Sequence, residues 1–426
     1  MTGRADAPGV DVIVVGAGMA GLTAAVRLAE AGLRVVTVAK GHGSLRLAPA
    51  TIDILGYGPG RVDSPTGALP GFVAAHPDHP YSLVTPELLA QSARWLTEHV
   101  AAYAYVGDPA VNILLPTALG VPRPSAVVPE TMAGGDLRSA GHVAIAGLRA
   151  LKDFHPALAA ENIRAAAAAD GLAAEARPLW LSPPTDGEAD VTTLGFARRF
   201  EDPGFRRAVA AELRAALGDE QAVGLPAVLG VDQVRYVWTE LQDAIGRPVF
   251  EIPTIPPSVP GIRLARALQD RLRRAGGRFV LGAQAVGPEL REGRLAGVRI
   301  RSAARETARR CRWVVLATGG LASGGIDVDA DSTAREPVLG LPVSGPSPGE
   351  PAFLPSYLGE HPMDTVGLRV DQRLRPLGSD GAPVHPNVHA AGAVIGGARP
   401  WREKSGDGIS LSTGYLAAEV IMEEAG

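Results

Sequence analysis

Apolar residues in this chain fall mainly into short unbroken runs closed by glycine turns, with helix-period stretches between them. A run of roughly four to eight apolar residues ending in a turn marks a strand buried on both faces, as in parallel sheets. Val10–Val15, closed by Gly16, is one such run, and Leu33–Val38 is another. Between them, residues 19–31 repeat with helix period, Leu22, Val26, Leu28 and Ala29 lying on one side and Gly32 as the stop. Together they predict a strand–helix–strand unit.

Residues 41–80 are rich in Gly, Pro and Asp and predict irregular chain with a short helix near Ile52. Thr85 followed by Pro86 reads as the cap of a helix reaching Val100, and residues 107–141 read as loops. Strand runs at 143–148, 176–181 and 223–229 then alternate with helical stretches at 155–169, 205–217 and 233–244, which predicts a second α/β layer. After the proline-rich stretch 253–260 a helix spans 262–274, followed by short strands at 278–281, 284–286 and 295–301. Buried strands follow at 313–317 and 388–390, and a closing helix at 414–424. This order predicts an α/β protein whose Rossmann-type sheet is completed by both ends of the chain. Residues 1–81 and 255–426 form that domain, and 82–254 form an inserted α/β domain for substrate or partner.

Composition narrows the picture. The chain has 426 residues, 46% of them hydrophobic, and its 52 glycines and 36 prolines are scattered rather than pooled, so turns rather than disorder explain them. With 41 basic and 45 acidic residues the net charge of −4 offers no basic field for nucleic acid and no polybasic membrane patch. A single cysteine, Cys311, excludes a disulfide framework and an iron–sulfur cluster ligated by this chain alone, and no metal site is predicted. Neither a membrane-spanning run nor, across residues 1–9, an apolar signal run is present, which predicts a cytoplasmic location.

The chemistry starts at Gly16-Ala17-Gly18-Met19-Ala20-Gly21, which follows a strand and opens a helix. In that setting Gly16 permits the tight turn, Gly18 lets the backbone approach a phosphate, and Gly21 lets helix and strand pack closely. The helix start then presents free N–H groups to an anion. The carboxylate expected about twenty residues on, for a ribose hydroxyl, is missing. The second strand runs into Lys40 instead, which suits a phosphate, on FMN or on NADP. Ala317-Thr318-Gly319 closes a buried strand with small residues, and Gly392-Ala393 closes another. Ser410 lies in the Ser405–Ser410 run ahead of the last helix, whose positive end suits the pyrimidine edge of a reduced flavin. His42, His76, His79, Arg263, Arg335, Arg402 and Lys404 lie in or beside loops; arginines among them suit an oxyanion and histidines a base for alcohol oxidation, with His42, Arg263 and Arg335 as the candidate catalytic residues. Glu336 beside Arg335 reads as its ion-pair partner.

Several longer stretches carry a family resemblance: Ala39-Lys40-Gly41, Ser44 with Ile52–Leu55, His79–Leu83, the run Ile252 to Leu264, Ser323-Gly324-Gly325 and Arg335–Leu341. Through them the chain resembles, from end to end, the B subunit of the anaerobic glycerol-3-phosphate dehydrogenases, flavoproteins of the fumarate-reductase and succinate-dehydrogenase type. The resemblance implies a glutathione-reductase/fumarate-reductase-like flavin fold and an oxidoreductase of a CH–OH group. It would convert sn-glycerol 3-phosphate to dihydroxyacetone phosphate and pass electrons to quinone. It implies FMN ahead of FAD, a catalytic A subunit and an iron–sulfur C subunit as partners, and membrane contact through the complex at the inner face. Two other readings stay open: a stand-alone FAD- or NADP-linked oxidoreductase, and a non-catalytic assembly subunit.

Overall fold

The structure is a computed structural model that describes residues 9–100, 104–303, 305–346 and 349–426. The expectation of no signal run falls on residues 1–9, of which all but Gly9 lie outside the described residues. The chain packs as two units. One combines residues 1–44, 66–95 and 268–426, and the other combines 45–65 and 96–267.

The first unit is built on strand β1 (Val10–Val15), helix α1 (Met19–Glu30) and strand β2 (Val35–Ala39). Its later strands are β3 (Arg278–Leu281), β4 (Ala283–Arg291), β5 (Arg294–Ser302), β6 (Arg305–Leu316) and β7 (Val388–Ala390). The sheet runs β3-β2-β1-β6, with β7 on the other side of β6, all parallel; β5 and β4 extend it as an antiparallel meander from the first half of β6. Val12, Ile13 and Val14 of β1 and Val314, Val315 and Leu316 of β6 are fully buried, as unbroken apolar runs between two covered faces must be. The closing helix α2 (Gly406–Ala425) packs against α1, and Gly414 makes this possible: a Cβ there would stand 2.4 Å from the Ala20 carbonyl oxygen.

The second unit holds a four-stranded parallel sheet in the order Val249–Ile252, Ala222–Pro226, His142–Leu148, Glu175–Leu181. Helices Pro156–Asp170, Pro203–Ala216 and Val234–Ile245 connect these strands. Ile145, Phe154, Phe196, Phe200 and Phe250 fill its core.

Local readings differ from the structure in four places. No helix forms near Ile52, which instead bridges Val127; the helix in that region is Pro65–Ala75. The meander strands are longer than predicted, because arginines at outward positions break the apolar signal without breaking the ladder. Residues 107–141 include paired strands, Ile113–Pro116 with Pro122–Ser125 and Tyr105–Gly107 with Val127–Pro129. Helix α2 starts at Gly406 rather than Gly414, so the Gly-Asp-Gly run lies inside it. Thr85 does cap the helix Pro86–His99, its Oγ1 accepting from the Leu88 N–H at 3.2 Å.

Candidate functional site

The C-terminal ends of β1, β6 and β7 meet at the start of α1. Gly16 turns with φ +120°, and a Cβ there would lie 2.0 Å from the Ala317 carbonyl oxygen, so β1 and β6 come together over a residue that must be glycine. Gly21 is pressed against the turn, with a Cβ position 2.3 Å from the Gly16 oxygen. Gly18 differs: its Cβ position has nothing nearer than the Ser44 Oγ at 4.0 Å, so this face of the loop is open. Gly18 is the N-cap of α1, and no side chain caps the helix and no acidic residue occupies its first turn. The helix therefore offers its leading N–H groups and positive end without an internal anion.

Two further turns border this opening. Ala317 is bound to β1 through its N–H and the Val15 oxygen at 2.8 Å, and the next residue, Thr318, has a buried hydroxyl with no hydrogen-bond partner among the described residues. Gly319 follows with φ +83°. After β7, Gly392 (φ +75°) donates its N–H to Thr413 Oγ1 at 2.8 Å and lies against Ala20 and Ser410, whose Cβ and Oγ are 3.0 and 3.5 Å from its Cβ position. Gly320 and Ala393 approach similarly, 2.8 Å from a Gly320 Cβ position to the Ala393 oxygen. The glycine loop, Ala317–Gly319, Gly392–Ala393 and Ser410 are thus brought together, and Ser410 sits one turn inside α2 rather than ahead of it. Beyond them opens a mainly apolar cavity of about 560 Å³, lined by Leu321, Ala393, Ile395, Trp401 and Ile409, with Asp364 as the one charged wall residue among those described.

The remaining candidates disperse. Lys40 is exposed directly after β2. His42 is partly exposed in the next loop, beside Gly43, whose Cβ position is 2.8 Å from the Ala17–Gly18 peptide. Arg263 lies in the other unit, buried, with its guanidinium on Glu251 (2.7 and 2.9 Å) and on the Gly230 oxygen (2.9 and 2.7 Å). Arg335 is exposed and pairs with Asp329 at 2.9 Å. Glu336 is not its partner: that buried carboxylate accepts the N–H groups of Val338 and Leu339 at 2.8 and 2.7 Å. Burial pushes Glu336 above the usual carboxylate range, more than those N–H groups pull it down. Arg402 donates to the Leu358 and Gly359 oxygens, Lys404 to the Trp401 oxygen at 2.8 Å, and His76 Nδ1 is 2.9 Å from the Phe72 oxygen.

His79 is buried. Its Nδ1 accepts from the Tyr81 N–H at 3.1 Å, which leaves Nε2 to donate to Glu403 at 3.1 Å. Glu403 also accepts from Ser405 Oγ at 2.7 Å and from the Arg399 N–H at 2.8 Å. Burial acts to raise its pKa, but the hydrogen bond from His79, with the other donors, holds it below the usual range. This dyad fastens the short helix Pro400–Glu403, which carries two of the cavity's wall residues, Pro400 and Trp401. Periodicity gave no sign of it; the histidine of the His79–Leu83 stretch was the available signal. Cys311 is no nucleophile, since burial pushes its thiol up to about 12. Among the described residues no group of His, Cys, Asp or Glu is arranged to hold a metal ion, and no helix is long and apolar enough to cross a membrane.

These features fit a dinucleotide flavin on the molecule's own evidence: an uncapped helix start, an open Gly18 face, an orphaned Thr318 hydroxyl and an adjoining apolar cavity. They define a Rossmann-type flavoprotein, and the sequence pattern of the FAD binding domain matches residues 11–409. The preference for FMN finds no support in that match. The chain is 33% identical over 97% of its length to the probable anaerobic glycerol-3-phosphate dehydrogenase B subunit of Halobacterium salinarum, covering 99% of that protein. It is 31% identical, again over 97%, to the anaerobic glycerol-3-phosphate dehydrogenase B subunit of Yersinia pseudotuberculosis, covering 98% of it. A solved structure of 3-ketosteroid delta1-dehydrogenase from Sterolibacterium denitrificans is similar over 97% of this chain and 99% of that one, at 12% identity and a TM-score of 0.45. The chain belongs to the family of anaerobic glycerol-3-phosphate dehydrogenase B subunits, flavin-linked oxidoreductase subunits.

Proposed function

We propose that this chain is the FAD-carrying B subunit of a respiratory glycerol-3-phosphate dehydrogenase. It works with a catalytic A subunit and an iron–sulfur C subunit in oxidising sn-glycerol 3-phosphate to dihydroxyacetone phosphate, with quinone as the final acceptor and the complex held at the inner face of the cell membrane. The observation that carries this reading is the convergence of the glycine loop, Ala317–Gly319 and Gly392–Ala393 on one open helix start, in a chain that matches its relatives from end to end. A bound flavin would supply the hydride-accepting chemistry. The chain's own part is to hold a diphosphate at the N–H groups of residues 18–20 and a ribose or phosphate near Lys40. Thr318, Gly319 and Gly392 then line the path to the cavity, and α2 directs its positive end, at Ser405–Ser410, toward the same region. The inserted segment 82–254 is assigned to partner or substrate contact.

A second reading is favoured by one observation: among the described residues that line the cavity none is basic, and Asp364 would repel a phosphate dianion. In that version the A subunit holds the substrate and this chain relays electrons. Chromatography of the acid-released cofactor tests the flavin. FAD at about one per chain supports the reading, FMN changes the cofactor, and no flavin after reconstitution with either refutes it. Titrating the loaded chain alone with glycerol 3-phosphate, followed by flavin bleaching, then separates the two versions.

A further inference from the structure

We propose that the arginine-rich meander β4–β5–β6 is a docking surface for anionic phospholipid headgroups. Residues 283–312 hold eight arginines against three glutamates, a net +5 in a chain whose total is −4, so the rest of the molecule carries −9. The overall balance conceals this, and the exclusion of a basic patch drawn from net charge does not hold locally.

The strand register turns the composition into a surface. Arg299, Arg301 and Arg310 occupy one face of the β5–β6 pair, because their partners Ala308, Glu306 and Gly297 alternate with it, and Arg312 continues that face along β6. Arg291 stands directly opposite Arg294 across the β4–β5 hairpin. Like charges in that position destabilise a sheet unless an anion intervenes. Compensation of Arg299 and Arg301 is slight, because they share Glu306, at 3.3 Å and 3.4 Å. Arg291 and Arg294 are exposed and pair with no carboxylate among the described residues, while Arg312, also exposed, acts on Asp11 through its charge. Arg309 feels the same crowding, being held below its usual value by burial and then by the charge of Arg278.

Two exposed leucines flank this field. Leu281, 43% exposed, lies where the chain enters β4, and Leu290, 50% exposed, lies beside Arg291 near the hairpin tip. Arginines interleaved with exposed aliphatic side chains suit the boundary between headgroups and acyl chains. Binding of single-stranded nucleic acid calls instead for exposed rings on which bases stack. The tryptophan of this region, Trp313, is buried, and the Arg312 guanidinium covers it at 4.2 Å. The contact is independent of the flavin reading and places this chain, as well as its partners, against the bilayer.

Flotation of the flavin-loaded full-length chain with vesicles tests the proposal. One set is phosphatidylcholine alone, and the other is an equal mixture of phosphatidylcholine and phosphatidylglycerol. The chain should float with the anionic vesicles alone and be released at about 0.5 M NaCl, where screening is nearly complete. The triple variant Arg291→Gln, Arg294→Gln, Arg301→Gln should bind them on the order of 100-fold more weakly at low salt. Its melting temperature and flavin content should match the parent. No binding to anionic vesicles, equal binding to both sets, or an unchanged triple variant overturns the proposal. Tighter binding to an oligonucleotide than to anionic vesicles also overturns it and reassigns the surface to nucleic acid. Flavin content, measured on the same preparations, reports separately on the proposed function.

Discussion

Removing Arg263 separates a structural arginine from a substrate-binding one. Its side chain is 2% exposed and that of Glu251 is fully buried, and the two form a forked pair with contacts of 2.7 and 2.9 Å. The carboxylate has two further donors, Thr131 Oγ1 at 2.7 Å and the Leu229 N–H at 2.9 Å, while the guanidinium also satisfies the Gly230 oxygen. Arg263→Met leaves a buried carboxylate with two neutral donors and a carbonyl with none. Breaking a buried pair from one side costs about 3–5 kcal/mol, most of it the stranded charge. The loss should be felt first in the strands Ala222–Pro226 and Val249–Ile252 that support this cluster. Hydrogen exchange followed by mass spectrometry should show their amides losing roughly 10²–10³-fold in protection. The double variant Arg263→Met, Glu251→Leu should regain most of it, because no charge is then stranded. Less than a tenfold change in the single variant, together with lost substrate affinity, would refute the argument and restore Arg263 as a binding residue.

Gly18→Ala should fold with near-parent stability, since its Cβ faces open space, yet bind FAD more weakly; Gly16→Ala should lose both, because its Cβ position overlaps the Ala317 carbonyl. Melting curves and bound flavin per chain distinguish the two variants. Glu424 is held down at about 2, first by His389 and against the opposing effect of burial, with Trp313 and Arg373 adding their hydrogen bonds. A depressed carboxylate stabilises the fold above its unfolded value of about 4.5, and that contribution is lost as pH falls toward 2. Glu424→Gln should therefore lower the melting temperature at neutral pH and converge with the parent near pH 2. The Cys311 thiol should resist alkylation at pH 8 in the native chain and react after denaturation, as intact-mass measurement would show; rapid native labelling would contradict its burial.

The strands that carry the candidate site were legible because β1, β2 and the second half of β6 are buried on both faces and so keep unbroken apolar runs. The glycine loop was legible because its three glycines serve steric needs that fix their spacing. What escaped were features set by distant partners. Gly414 is a close-approach glycine defined by α1, some four hundred residues away, and nothing local marks it. Helix α2 begins at Gly406 despite two poor helix formers in its first turn, so packing overrides propensity there. The His79–Glu403 pair joins residues 324 positions apart, and the Arg335 partner proved to be Asp329 instead of the adjacent Glu336. The arginine field vanished into a balanced total.

The place of β1 in its sheet also sets an order of events at the ribosome. This strand lies between β2 and β6, and its β6 partners, Cys311–Leu316, are translated after the whole of the second unit. At about 5–20 residues per second, one edge of an almost wholly apolar strand waits on the order of tens of seconds for its neighbour. The second unit meanwhile has all its strands in hand by Ile252 and can close while the first is unfinished. A nascent chain of this protein therefore carries a finished domain tethered to an open sheet edge, and guarding that edge falls to whatever meets the chain as it emerges.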